Sequence, residues 1–221
     1  MAFWKALPLL VLAGTYRTSA QTYANGPFQL RISSQFNTSI SGHAYPCLDN
    51  PVGLCYLGGA AVAPPAGDGF FFTSRARADY TVGYLSWRND DEGGSAAAVT
   101  AYGPVGLIYD PGTNVAVPIL NQTGAPETLG FDAATGDLMM TGIDDTVMGH
   151  GNGSLLPSAA GSHDRYYNNW YLCFVQLDQT RPPERLVSWV LGANLGFEPT
   201  NPTCQSVNLT METTAVGYGG G

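Results

Sequence analysis

The chain has 221 residues, 44% of them hydrophobic and 12% charged, with nine basic against seventeen acidic side chains and a formal net charge of −8. That length and apolar content suffice for one domain with its own core, and two domains are not required. The acidic balance repels phosphate backbones and so argues against nucleic acid as a partner.

In chain order, Lys5 precedes a nine-residue apolar run, Ala6 to Gly14, far too short to span a bilayer. Thr18, Ser19 and Ala20 then offer a small-residue cleavage site, so residues 1–20 read as a secretory signal peptide with Gln21 as the mature start. Its removal takes away Lys5 and Arg17. Seven arginines, no lysine and seventeen acids remain, a balance of −10, and lysine nucleophile chemistry is excluded. No later stretch is long and apolar enough for a span. The Gly217-Tyr218-Gly219-Gly220-Gly221 end has no hydrophobic run, so no membrane anchor is expected. The localisation this predicts is secreted, extracellular, free or held to a wall by contacts.

Beyond the leader, glycine and proline punctuate short runs rich in valine, tyrosine, phenylalanine and threonine, the pattern of many short antiparallel strands. Phe28 to Ser33 alternates apolar and polar residues, as a half-buried strand does. Cys55 to Ala60, Phe70 to Thr73 and Val82 to Arg88 are further strands, with loops at Ala61 to Gly69 and Asn89 to Ser95. Val105 to Tyr109 and Val115 to Leu120 flank Asp110-Pro111-Gly112-Thr113-Asn114, where proline presets one turn dihedral and glycine supplies a positive one. Leu129 to Asp132 and Asp137 to Thr141 flank a second hairpin turn, Ala133-Ala134-Thr135-Gly136. Tyr166 to Gln176, Leu186 to Leu191 and Cys204 to Met211 complete the set, with a turn at Arg181-Pro182-Pro183-Glu184.

Two of these units echo each other: Phe70-Phe71-Phe72 before Gly83-Tyr84-Leu85, and Leu129-Gly130-Phe131 before Gly136-Asp137-Leu138. Counting hairpins predicts an all-β single compact domain over residues 21–211, with about 11–12 short antiparallel strands, a β-trefoil-like barrel being favoured over a two-sheet β-sandwich. Residues 148–164 form a glycine-rich loop insertion and residues 212–221 a flexible tail.

Four cysteines in an exported chain predict disulfides. Three connectivities exist; Cys47–Cys55 and Cys173–Cys204 are favoured because each pair is near in sequence and flanks a turn or hairpin. The spacings match no zinc pattern, and no metal is expected. Sequons at Asn37, Asn121, Asn152 and Asn208 predict a glycoprotein, whereas Asn201-Pro202-Thr203 is excluded by its proline.

Asn114-Val115-Ala116-Val117-Pro118, Ile143-Asp144-Asp145-Thr146, Tyr166 to Cys173, Ser188-Trp189-Val190-Leu191-Gly192 and Asn201-Pro202-Thr203-Cys204 together resemble an uncharacterised family of secreted filamentous-fungal proteins, known as a domain of unknown function. The resemblance runs from about Phe28 to Met211, with the insertion at Met148 to Ser162. More distantly, the aromatic–cysteine strand and its closing cysteine strand resemble fungal cell-wall proteins of the phialide type. The resemblance implies a fungal origin and an extracellular or wall location, and it carries over no active-site residue.

No nucleophile elbow is present. A glycosidase needs two carboxyls across a cleft, and among the seventeen acids no pair stands out in the sequence. Asp144-Asp145-Thr146 can bind an ion or do acid–base work if it forms a turn, because neighbours on a strand point to opposite faces; an Asx-type turn is the plainer expectation. His150, His163 and Asp164 bracket the glycine-rich loop, but flexible loops seldom preorganise a metal. The aromatics argue best for binding. Tyr166, Asn168, Asn169 and Tyr171, with Asp144 and Asp145, are the candidate ligand-binding residues, since aromatic faces flanked by amides and carboxylates suit sugar rings. Trp170 and Trp189 are expected in the core, and Tyr166, Asn168 and Asn169 outside it.

The sequence therefore predicts a secreted, non-catalytic, wall-associated or glycan-binding protein with no cofactor and with fungal wall or host glycans as partners. The alternatives are a secreted protein-binding inhibitor or host-directed effector, presenting Met148 to Asp164 or Arg181 to Arg185 to an extracellular protein, and a carboxylate-dependent glycoside hydrolase.

Overall fold

A computed structural model describes residues 22–47, 52–59, 69–75, 82–89, 100–109, 112–120, 126–141, 144–148, 157–158, 166–177 and 180–212. Residues 1–20, the sequons at Asn121 and Asn152, and His150, His163 and Asp164 lie outside them. The described chain is all-β and antiparallel, with one short 3-10 turn at Ala193–Leu195.

The strands in chain order are β1 (Thr22–Ser33), β2 (Ser41–Cys47), β3 (Val52–Gly58), β4 (Gly69–Arg75), β5 (Val82–Asn89), β6 (Thr100–Tyr102), β7 (Gly106–Tyr109), β8 (Val115–Leu120), β9 (Leu129–Phe131) and β10 (Leu138–Thr141). They continue as β11 (Asp144–Met148), β12 (Pro157–Ser158), β13 (Tyr166–Tyr167), β14 (Trp170–Val175), β15 (Glu184–Val190), β16 (Gln205–Ser206) and β17 (Asn208–Glu212). Fifteen of them join one antiparallel sheet that curls into a half-barrel, while β11 and β12 pair with each other.

The curl turns on β1. Its first half pairs with β4, from Thr22↔Arg75 to Phe28↔Phe70, and its second half pairs with β2 and β17, Ile32 facing Gly42 and Leu209. The register shifts between Asn25 and Phe28. There Gly26 has φ +149°, and a Cβ would come within 2.6 Å of the Phe70 carbonyl oxygen, so only glycine fits the bend. A strand that bends and passes between two sheet halves is how orthogonal β-packings make a corner. One half runs β13-β10-β9-β5-β4, and the other β2-β3-β8-β15-β14-β16.

Alternation fills the space between the halves. Phe28, Leu30 and Ile32 of β1, Phe70 and Phe72 of β4, Leu85 and Trp87 of β5, Leu138 and Met140 of β10, and Trp170, Leu172, Val187 and Trp189 of β14–β15 form one core. Trp170 and Trp189 meet edge to face at 4.8 Å, both almost fully buried, where the sequence expects them. The outward side of β8, β14 and β15 carries two smaller apolar clusters, around Cys55, Val117, Ile119 and Leu186 and around Val115, Cys173 and Val190. Both disulfides, Cys47–Cys55 and Cys173–Cys204, sit on that side and have the expected connectivity.

The predicted hairpins β7–β8 and β9–β10 form. The two echoing units are the hairpins β4–β5 and β9–β10, adjacent through β5–β9 pairing. The strand count exceeds the expected 11–12: among the described residues seventeen strands form, several only two or three residues long. β2 contains Gly42 and Pro46, residues that normally argue against a strand. Asp144-Asp145-Thr146 is not a turn but the start of β11. Tyr166 to Gln176 is not one strand: Asn168 and Asn169 interrupt it between β13 and β14.

Candidate functional site

The end of β14 carries the most developed surface. Its neighbour on one edge is β15; on the other, β16 reaches only Tyr171 and Leu172. Past that point the edge is covered by a loop. Phe174 N–H donates to Thr203 Oγ1 at 2.9 Å, and Asn201 Nδ2 donates to the Phe174 carbonyl at 2.9 Å. Two side chains thus occupy the hydrogen bonds that a bare strand edge would offer to another chain. Asn201 in turn accepts from Thr203 N–H at 3.0 Å and from its hydroxyl at 2.7 Å, which folds Asn201-Pro202-Thr203 into an Asx turn.

A buried amide ties the same loop to the start of β8. Asn114 Nδ2 donates to the carbonyls of Leu191 (3.2 Å) and Glu198 (3.1 Å), and Oδ1 accepts from Thr200 N–H (2.8 Å) and its hydroxyl (3.1 Å). The Thr113 and Thr200 hydroxyls lie 2.6 Å apart.

Between loop and sheet lies a cavity of about 380 Å³, within the range of small-ligand sites. Its apolar lining is Ile108, Val115, Val117, Val175 and Leu177, and its polar rim is Thr113, Gln176, Thr200 and Asn201. Phe174 also borders it. None of the lining residues carries an ionisable side chain, so the cavity suits a neutral ligand.

Strand alternation puts the Phe174 side chain on the face opposite Val175. There it stands 47% exposed and opposite Arg185 of β15. The Arg185 guanidinium lies 5.5 Å from the Phe174 ring centroid and 5.2 Å from that of Tyr56, within cation–π range of both. The Tyr56 hydroxyl is pinned by the main chain of Ser41, at 3.2 Å from N–H and 3.0 Å from the carbonyl. Phe174 therefore joins an aromatic–cationic row on one side of the strand end to a neutral cavity on the other.

The sequence-predicted residues are split. Tyr166 pairs with Thr141 in one half of the sheet, whereas Tyr171 pairs with Ser188 and Ser206 in the other. Tyr171 is half-buried against Val115, Cys173 and Val190; burial, and then the nearby Glu198 carboxylate, push its phenol pKa up. Asn168 is exposed and donates to Asn208 Oδ1 at 3.4 Å. Asn169, expected outside, is 6% exposed. The break between β13 and β14 interrupts the two-residue alternation there, and the Asn169 carbonyl accepts from Val190 N–H at 3.1 Å. Asp144 and Asp145 lie in β11, away from the turn that their joint use of one ion requires. Asn37 is half-buried, its Nδ2 bonded to Gln205 Oε1 at 2.8 Å, and Asn208 is half-buried on β17.

Phe174, Gln176 and Asn201 were missed because the expected Cys173–Cys204 bond brings the two segments together without fixing the register that sets Asn201 against Phe174. The faint signal was Asn-Pro-Thr, which cannot be glycosylated yet keeps an Asx turn. A Cys47–Cys55–Glu184 cluster meets metal-ligand spacing, but its sulfurs are bonded to each other. No protein-family model, curated protein or solved structure matches the chain.

Proposed function

We propose that this is a secreted, non-catalytic fungal protein, wall-associated or glycan-binding, with the end of β14 as its glycan surface. The observation that carries the reading is Phe174, a large aromatic ring 47% exposed at a strand end whose opposite face borders a neutral cavity rimmed by amides and hydroxyls. A sugar presents C–H faces that pack on an aromatic ring and hydroxyls that exchange hydrogen bonds with amides. The two disulfides suit an oxidising, extracellular setting, and among the described residues no helix is long and apolar enough to cross a membrane.

Retention on insoluble chitin and β-glucan tests the reading. The wild type should be held on at least one polymer. Phe174→Ala should weaken retention about tenfold, or roughly 1.4 kcal/mol, while Tyr166→Ala, in the other half of the sheet, should change it little. Passage of the wild type through both polymers overturns the reading.

A second reading, a protein-binding inhibitor or effector, draws on Leu195 and Phe197, 46% and 48% exposed on the connection that also carries Thr200 and Asn201. Exposed large apolar side chains close in sequence favour a protein partner. Inhibition of serine, cysteine or aspartic proteases that Phe197→Ala abolishes would support it; unimpaired activity of all three classes would remove the inhibitor form.

A further inference from the structure

We propose that Arg185 is a carboxylate-binding residue, and that the glycan this surface prefers is acidic, an oligosaccharide containing uronic acid; this rests on the glycan reading above. Arg185 is half-buried, and its guanidinium lies 5.2 Å from the Tyr56 ring centroid and 5.5 Å from that of Phe174. Aromatic faces attract a cation but are poor hydrogen-bond acceptors. No carboxylate among the described residues lies within ion-pair distance of Arg185, and no described group accepts a hydrogen bond from it. Its sequence neighbour Glu184 alternates to the other face, where Oε2 sits 3.4 Å from Cys55 Sγ.

Among the described residues nothing takes the five N–H donors of this guanidinium, and a ligand can. Their planar fork matches a carboxylate bidentately, which a lysine ammonium does not. The ring next to it is Phe174, the residue on which the glycan reading rests. A pyranose stacked there brings a C6 carboxylate within reach of Arg185 if the sugar is a uronate, and only a hydroxymethyl group if it is a hexose. Exposed Arg88 also covers a ring, Phe71 at 4.7 Å, but only one and away from the cavity. The net charge of −8 opposes an acidic polymer at long range, yet at physiological salt that field fades over about 8 Å, so the local pair governs.

Titration calorimetry of the full secreted chain should compare a glucuronic-acid oligosaccharide with a neutral gluco-oligosaccharide of equal length. The wild type should bind the uronate about tenfold more tightly, and the advantage should shrink as salt rises. Arg185→Gln should erase the advantage and leave the neutral sugar bound, and Arg185→Lys should restore only part of it. Equal wild-type affinity for the two sugars, or an advantage that survives Arg185→Gln, overturns the inference while leaving the glycan reading standing. Binding of neither sugar overturns the inference, and passage through chitin and β-glucan as well overturns the glycan reading. Should Arg185→Gln fail to fold, an uronate advantage in the wild type that does not respond to salt, or that Arg185→Lys leaves whole, would overturn the inference.

Discussion

Burial holds the Glu127 carboxyl above its ordinary range, and this makes a single residue pH-sensitive. A carboxyl whose pKa is higher folded than unfolded binds more protons in the folded state, so its contribution to stability falls as pH rises. The loss begins near the ordinary carboxylate value of 4.5 and is complete above the raised one. Glu127→Gln removes the cost of burying the charge. The variant should melt above the wild type at pH 7, with the gap closing below about pH 4.5; a gap independent of pH would refute this. Asp132 has the opposite sign. The main-chain N–H groups of Thr135 and Ala134 hold its pKa down. Its turn therefore stabilises the β9–β10 hairpin above the ordinary value and loses that contribution as acid protonates it. The turn it caps was legible in sequence, since Ala-Ala-Thr-Gly between two apolar runs reads as a hairpin turn. Asn169 was not, because the break in β-structure that buries it has no marker of its own.

At the scale of elements, two of the ties on the connection between β15 and β16, the polar one at Asn114 and the covalent one at Cys204, can be cut one at a time. Asn114→Ala removes four hydrogen bonds from a residue 7% exposed. It should cost about 2–4 kcal/mol in urea unfolding and raise proteolysis within residues 192–203. Disulfide loss should scale with the loop each bond closes. The Cys173→Ser/Cys204→Ser pair spans 31 residues and Cys47→Ser/Cys55→Ser only 8. Chain entropy then predicts losses of about 3.5 and about 2.5 kcal/mol, the longer loop losing more. A reversed order in matched denaturation curves would contradict that account. The two pairings were legible from sequence proximity alone. β2 was not, because a strand with an internal glycine and proline is stabilised by its neighbours β1 and β3 rather than by its own propensity.

Across the molecule, one hydrogen bond reaches through the core from one half of the sheet to the other: Trp170 Nε1 donates to the Leu138 carbonyl at 2.7 Å. Trp189, packed against it, has no hydrogen-bond partner for its Nε1 among the described residues. Trp170→Phe leaves a buried carbonyl unpaired, whereas Trp189→Phe removes an unpaired donor. The first should therefore be less stable than the second by about 1–3 kcal/mol, read from chemical denaturation of both variants. Equal losses would mean that ring packing alone matters at both sites.

Strand chemistry, turn residues, the sulfur pairing and the inward placement of two tryptophans were determined by the sequence itself. Each depends on alternation, on a turn dihedral, or on partners close along the chain. The half-barrel's path, the bend of β1 between its two halves, and the meeting of Tyr56, Arg185, Phe174 and Asn201 were decided only by the tertiary structure. Phe174 and Arg185 face each other across one hairpin, but Tyr56 comes from a distant strand and the loop register of Asn201 is not local, and both are chosen by the packing of the whole core, which no local pattern encodes.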